Sequence, residues 1–291
     1  MSLVNFDVYR YSRSKEFRGF ISNTGSQLRL TEFISLIGML CLMLLVITAS
    51  GVQADSLEEA AERYRIYLIK DMDQVLAGAR ALHDRIAAKD LDGAKKAWID
   101  ARAAWERSEV FTGGFVPDLD NAIDAWPEAV AGFHGIEAKL FGANRLDVQE
   151  EADALVLQVA AARRQAHDIR LIPQGLLNGI SRLAHEMGES KVDGGESRFS
   201  GTSLADMRNN ADGIELAYQT VFAAALEARD PRLAQAAVGE IRDIKMALDV
   251  PDLRGGDPNQ LRKVSEELVV TPENAGPKIG LSKPALEETS R

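Results

Sequence analysis

In the stretch Trp98-Ile99-Asp100-Ala101-Arg102-Ala103-Ala104-Trp105-Glu106-Arg107-Ser108-Glu109, small and apolar residues recur every three or four positions. Extended outward, Ala94, Ala97, Trp98, Ala101, Trp105 and Ser108 fall on one side of a helix from about Asp90 to Phe111. Trp98 and Trp105 share that side, which predicts core packing rather than a sugar-stacking platform. Glu106 and Glu109 also share a face, because residues at i and i+3 lie about 5–6 Å apart at Cβ. Two carboxylates so close can hold a cation, or they can form a solvated helix edge. Arg102 and Arg107 beside them suit the second reading.

The same helical character extends from Leu57 to Val270. Ala, Leu, Glu, Gln and Arg dominate, and alternating runs of Val, Ile and Thr are missing. Ser56 can cap a first helix reaching Ala88, with Glu58 and Glu59 in its first turn. Gly113, Gly114 and Pro117 predict a break over Thr112 to Asp118, then a short helix or turn from Leu119 to Trp126. Pro127 fits the first turn of the next helix and Gly142 its end. Asp147 is placed to cap a helix to Leu171, and Pro173 to open one ending near Gly188. A polar Gly- and Ser-rich loop follows, Glu189 to Thr202. Ser203 to Arg229, Asp230 to Leu248 and Asn259 to Val269 are the remaining helices. The expected fold is all-α, with two antiparallel helix-bundle halves sharing one core.

The organisation expected is a signal peptide with a long n-region at 1–54, a helical domain at 55–270, and a Pro-containing flexible tail at 271–291. Phe33 to Thr48 is apolar and uncharged, yet shorter than the roughly 20 residues of a spanning helix. Val52 and Ala54 supply the small residues for cleavage before Asp55. The single Cys, Cys41, lies inside the apolar run, so the mature chain would have neither disulfides nor a thiolate metal site. A Cys-free exported chain points to the periplasm, not spanning the membrane after cleavage. The 291 residues carry a formal charge of −10 and no basic run, which argues against a nucleic-acid partner.

The segment Gly132-Phe133-His134-Gly135-Ile136-Glu137-Ala138-Lys139-Leu140-Phe141-Gly142 puts an imidazole and a carboxylate on one helix face. The connector before it carries Asp118, Asp120 and Asp124. Helices joined by so short a connector lie antiparallel, so these groups can converge with Glu106 and Glu109, as helix bundles assemble metal sites. One imidazole among carboxylates is an oxygen-rich shell suited to iron, with Zn, Cu or Mn as alternatives. His83, His167 and His185 have no comparable setting. Ser/His/Asp, His-Glu-x-x-His and phosphate-cradling Gly motifs are not found, so no catalytic residue is assigned.

Four ordered blocks resemble the imelysin-like family. They are the Ala101-to-Glu109 helix, the Asp120-Asn121-Ala122-Ile123-Asp124-Ala125-Trp126-Pro127 connector, the Gly-x-His-x-x-Glu motif at Gly132 to Glu137, and Glu196-Ser197-Arg198-Phe199-Ser200-Gly201-Thr202 running on to Asn210. The resemblance covers about residues 57 to 250. It implies an all-helical fold of two bundle halves and a metal role for His134 and Glu137. Glu106, Glu109 and a connector Asp, Asp124 ahead of Asp120, are implied as companions. Family members include imelysin-type peptidase homologues and EfeO/EfeM-type periplasmic components of iron uptake. Gly201 stands where some EfeO-like members have a His, and a form without a preceding cupredoxin-like domain is expected.

Three functions are then in view. The first is an exported iron-binding protein of iron uptake, serving an inner-membrane permease or a periplasmic peroxidase. The second is a metallopeptidase with Glu137 or another carboxylate as general base. The third is a polysaccharide-binding module using Arg163, Arg164 and Arg170, which a net charge of −12 after loss of residues 1–54 makes unfavourable.

Overall fold

A computed structural model describes residues 56–124 and 130–286. The expected signal peptide, its cleavage site, Cys41, Trp126 and Pro127 lie outside the described residues. Among those described, every regular element is helical.

Helix α1 spans Leu57–Ala87. Ser56 caps it by accepting from the Glu59 amide while the Glu59 carboxylate accepts from the Ser56 amide. After a three-residue turn, α2 runs Leu91–Phe115, capped by Asp90. The break expected at Gly113 comes only at Val116. The two glycines stay helical, and the bare backbone at Gly113 leaves room for the Arg182 guanidinium, which donates to the Glu109 carbonyl at 2.7 Å. Helix α3 is Pro117–Asp124 and α4 is Gly132–Glu137, continued by a π-turn over Ala138–Gly142. Helix α5 is Gln149–Asp168. Asp147, expected as its cap, is instead paired with Arg145.

The second half begins with α6, Pro173–Glu186, which continues as a π-turn over Met187–Lys191. Helix α7, Ser203–Ala217, passes through a π-turn, Tyr218–Phe222, into α8, Ala223–Arg229. One continuous helix was expected there, capped by Ser203. Thr202 holds the cap position instead, and Ser203 is turned to the loop, accepting from the Ser197 amide at 3.1 Å. Helix α9 is Pro231–Ala247, capped by Asp230, and α10 is Pro258–Lys278, capped by Asp257.

Helix α10 outruns the end expected at Val269, so residues 271–278 are not an extended tail. Pro272 and Pro277 interrupt the hydrogen-bond ladder of this helix. Burial of Leu261, Val264, Leu268, Thr271, Pro272 and Ala275 along one face offsets the loss. Thr271 Oγ1 also donates to Glu240 of α9 at 2.7 Å.

Helix α2 is the wall common to both halves. It packs on α1 on one side, and on α6 and α7 on the other. Glycines permit that closeness: a side-chain carbon at Gly179 of α6 would strike the Val110 carbonyl, and one at Gly213 of α7 the Arg107 carbonyl. A continuous apolar core runs through both halves, with Trp98, Trp105, Tyr64 and Phe111 among its largest members. The fold is a helical bundle, as expected. No helix among the described residues is long and apolar enough to cross a membrane.

Candidate metal centre

Helical spacing on α2 puts Arg102, Glu106 and Glu109 on one face, and all three are buried. Arg102, suggested by sequence to edge a solvated face, is 1% exposed. Its guanidinium pairs with Glu106 and Asp124, and reaches Glu196 at 3.3 Å and Asp206 at 3.4 Å. Four carboxylates and the faces of Trp98 and Phe133, 5.8 Å away, account for its burial. Arg107 points the other way, to Asp71 of α1 at 3.0 Å.

The tryptophans of the opening stretch fix the connector. Trp105 Nε1 donates to Asp124 Oδ2 at 2.8 Å, and Trp98 Nε1 to the Phe133 carbonyl at 2.9 Å. Gly132 has φ +63°, and a side chain there would collide with the Ile123 carbonyl. Only glycine lets the chain turn sharply enough to seat His134 against Asp124. The helix expected from Pro127 therefore starts at Gly132.

His134 is held at both ring nitrogens. Nδ1 lies 3.2 Å from Glu137 Oε2. Nε2 lies 3.2 Å from Asp124 Oδ1, out of line for a hydrogen bond. Burial and the Arg102 charge depress its pKa, but Asp124 and Glu137 outweigh them and hold it at about 9. Glu137 turns its other oxygen away. Oε1 accepts from the amides of Phe199 and Ser200 at 3.1 and 2.8 Å and from Ser200 Oγ at 2.7 Å. Burial works against its charged form, yet the His134 imidazole, followed by the Ser200 donors, keeps the Glu137 carboxyl below its ordinary value.

Residues from the expected polar loop and from α7 complete the cluster. Lys191, 3% exposed, ends the π-turn after α6. Its ammonium lies 2.9 Å from Glu106 Oε2, 3.0 Å from Glu109 Oε2 and 3.3 Å from Glu196 Oε1. Asn210 Nδ2 donates to Glu106 Oε2 at 2.8 Å and to Glu109 Oε2 at 2.6 Å. Asp206 Oδ2 accepts from Ser197 Oγ at 2.6 Å and Thr202 Oγ1 at 3.1 Å. The block Glu196 to Asn210 carried the only sequence signal for Glu196, Asp206 and Asn210, through its family pattern.

Crowding of carboxyls raises several affinities for protons. Burial pushes Glu196 up to about 7 and Asp206 up to about 6, against the pull of Lys191 and Arg102. Burial and Glu106 hold Glu109 well above the usual range. Burial also works against the charged forms of Asp124 and Glu106, yet Arg102 keeps both below their ordinary values.

Two sets of ligand atoms lie within 4.8 Å of one another: Asp124 with His134 and Glu196, and Asp124 with Glu106 and Glu109. The structure thus brings four of the five expected residues into cation-sized groups, and Glu137 is in neither group. In the first set, His134 Nε2 and Glu196 Oε2 are buried atoms without a hydrogen-bond partner. An imidazole and two carboxylates grouped at this spacing fit a hard or borderline transition-metal ion that displaces the ring proton. His185 and Glu189 are both exposed, and Arg163 is taken up by Asp73.

The family model described as imelysin, peptidase family M75, matches residues 60–129 and 128–266. A lipoprotein of the EfeM/EfeO family from Staphylococcus haemolyticus is 29% identical over 198 residues, 64% of this chain and 68% of its own length. The iron uptake system component EfeO of Escherichia coli O157:H7 is 31% identical over 181 residues, 58% of this chain and 48% of its own. The chain therefore spans about half the length of the EfeO relatives it matches. A crystal structure from Parabacteroides distasonis, described as that of a proposed iron-regulated protein A precursor, superposes with a TM-score of 0.59 at 18% identity. It covers 79% of this chain and 97% of its own, a likeness of fold. The chain belongs to the imelysin family.

Proposed function

We propose that this protein is an exported metal-binding component of iron uptake, with iron as cargo held by Asp124, His134 and Glu196. The observation that carries this reading is the cation-sized grouping of Asp124, His134 and Glu196, in which the buried His134 Nε2 and Glu196 Oε2 make no hydrogen bond. Relatives named as iron uptake components support the choice of iron and a location outside the cytoplasm. An inner-membrane permease or a periplasmic peroxidase is the partner class such a carrier would serve.

Cargo fits this geometry better than catalysis. His134, Glu137, Glu106 and Glu196 are each at most 7% exposed. A peptidase needs a cleft that admits a polypeptide to the metal and leaves one coordination position for water. This centre is buried, and the Arg102 and Lys191 side chains lie among its carboxylates. The loop from Val192 to Thr202 carries Glu196 and is fastened to Glu137 through Phe199 and Ser200. Iron would enter by displacement of that loop.

Elemental analysis of the protein isolated from the envelope of iron-replete cells tests the reading. Stoichiometric iron supports it. A metal-free protein that also fails to take up iron when titrated would overturn it. Cleavage of unfolded protein substrates that stops on adding chelator would shift the reading to the peptidase.

A further inference from the structure

We infer that Lys191 is a built-in cation that fills the second carboxylate group, so the chain carries one metal ion where its acidic side chains could hold two. This rests on the metal-binding reading above and adds a limit on stoichiometry to it.

The buried carboxylates form two adjoining nests that share Asp124. In the first nest, Glu196 Oε2 has no partner and His134 Nε2 faces only the Asp124 carboxylate, 3.2 Å away. In the second, Glu106 Oε2 and Glu109 Oε2 both point to the Lys191 ammonium, at 2.9 and 3.0 Å, and both accept from Asn210 Nδ2. An ammonium touching three carboxylates, Glu196 being the third at 3.3 Å, has the charge and placement of a bound cation. Two of its N–H groups donate to Glu106 Oε2 and Glu109 Oε2.

Local backbone geometry supports a specific placement. Lys191 is the last residue of a π-turn, a rare helical geometry frequent at functional sites. Gly188 in the same turn packs against Ser265 of α10. A buried lysine is costly unless its charge is matched, and here the match comes from the groups that would otherwise bind a second metal. Glu196 touches both nests, through Oε1 to Lys191 and with Oε2 bare. The ammonium thus positions a ligand of the first nest while it occupies the second.

The test compares metal stoichiometry in the wild-type chain and in Lys191→Met, whose side chain has similar length without charge. Both proteins are loaded with Fe2+ under anaerobic conditions, desalted and assayed for iron. The expected result is one iron per chain in the wild type and two in Lys191→Met. Two irons in the wild type, or one in a folded Lys191→Met, would overturn the inference and leave the metal-binding reading standing. Iron in neither protein would remove that reading, and this inference with it. Should Lys191→Met fail to fold, anomalous diffraction from iron-loaded wild-type crystals decides the matter. Iron beside His134 with the Lys191 ammonium still between Glu106 and Glu109 supports the inference. Iron between Glu106 and Glu109 with Lys191 swung away refutes it.

Discussion

Glu137 Oε2 stands 3.2 Å from His134 Nδ1, while its Oε1 accepts three hydrogen bonds from Phe199 and Ser200. The carboxylate therefore orients the imidazole, leaving Nε2 as the nitrogen that faces Asp124. A carboxylate behind a ligating histidine typically carries about 10–100-fold in metal affinity. Glu137→Gln should weaken iron binding by that factor while the protein keeps its helicity by circular dichroism. Unchanged affinity would mean that the imidazole needs no such partner.

Arg102 is the counter-charge to four buried carboxylates, Glu106, Asp124, Glu196 and Asp206. Removing one partner of a buried ionic cluster costs about 3–5 kcal/mol. Arg102→Ala should lose that much stability in urea unfolding of the metal-free protein. A loss below about 1 kcal/mol would place this arginine among weakly coupled surface pairs.

The metal-free protein should melt at lower temperature as pH rises from about 5 to about 9. His134 is raised to about 9, Glu196 to about 7 and Asp206 to about 6. Each binds its proton more tightly folded than unfolded. The stability each contributes is complete below its unfolded value and is lost as pH climbs through the folded one. Iron binding should show the converse trend, tightening with pH over the same range as the His134 proton is displaced. Calorimetry in buffers of different ionisation enthalpy should register that proton release. A pH-independent affinity would contradict the protonation assigned to His134.

Gly132→Ala should destabilise the connector and weaken metal binding together, because φ +63° and the Ile123 carbonyl both exclude a side chain. The expected cost is at least about 1 kcal/mol, read as a shift in thermal midpoint alongside reduced iron uptake. A thermal midpoint equal to wild type would show that the turn relaxes freely.

Much of the bundle could be read from the chain because helical period and caps are local properties. Ser56, Asp90 and Asp230 each cap as their side chains dictate. The Trp98 and Trp105 spacing identified the face that became the core. Tertiary packing overrode local signals elsewhere. Gly113 stays helical against Arg182, and Pro272 is carried inside α10 by the apolar face it buries. At the centre, Glu106, Glu109, Asp124 and His134 were visible from pairing on adjacent helices. Lys191, Glu196, Asp206 and Asn210 were not, because they reach the site from far along the chain, Lys191 and Glu196 from a loop of polar composition and Asp206 and Asn210 from α7. The burial of Arg102 was not legible for a related reason: an arginine next to two glutamates on a helix has the same local pattern whether solvated or buried.

The central claim is that Asp124, His134 and Glu196 hold one iron ion. The most direct measurement is anaerobic calorimetric titration of Fe2+ into wild-type protein and the His134→Ala variant, with both confirmed folded. The account predicts saturable binding by the wild type and a loss of at least about tenfold in affinity in the variant. Equal binding by the two proteins would contradict it.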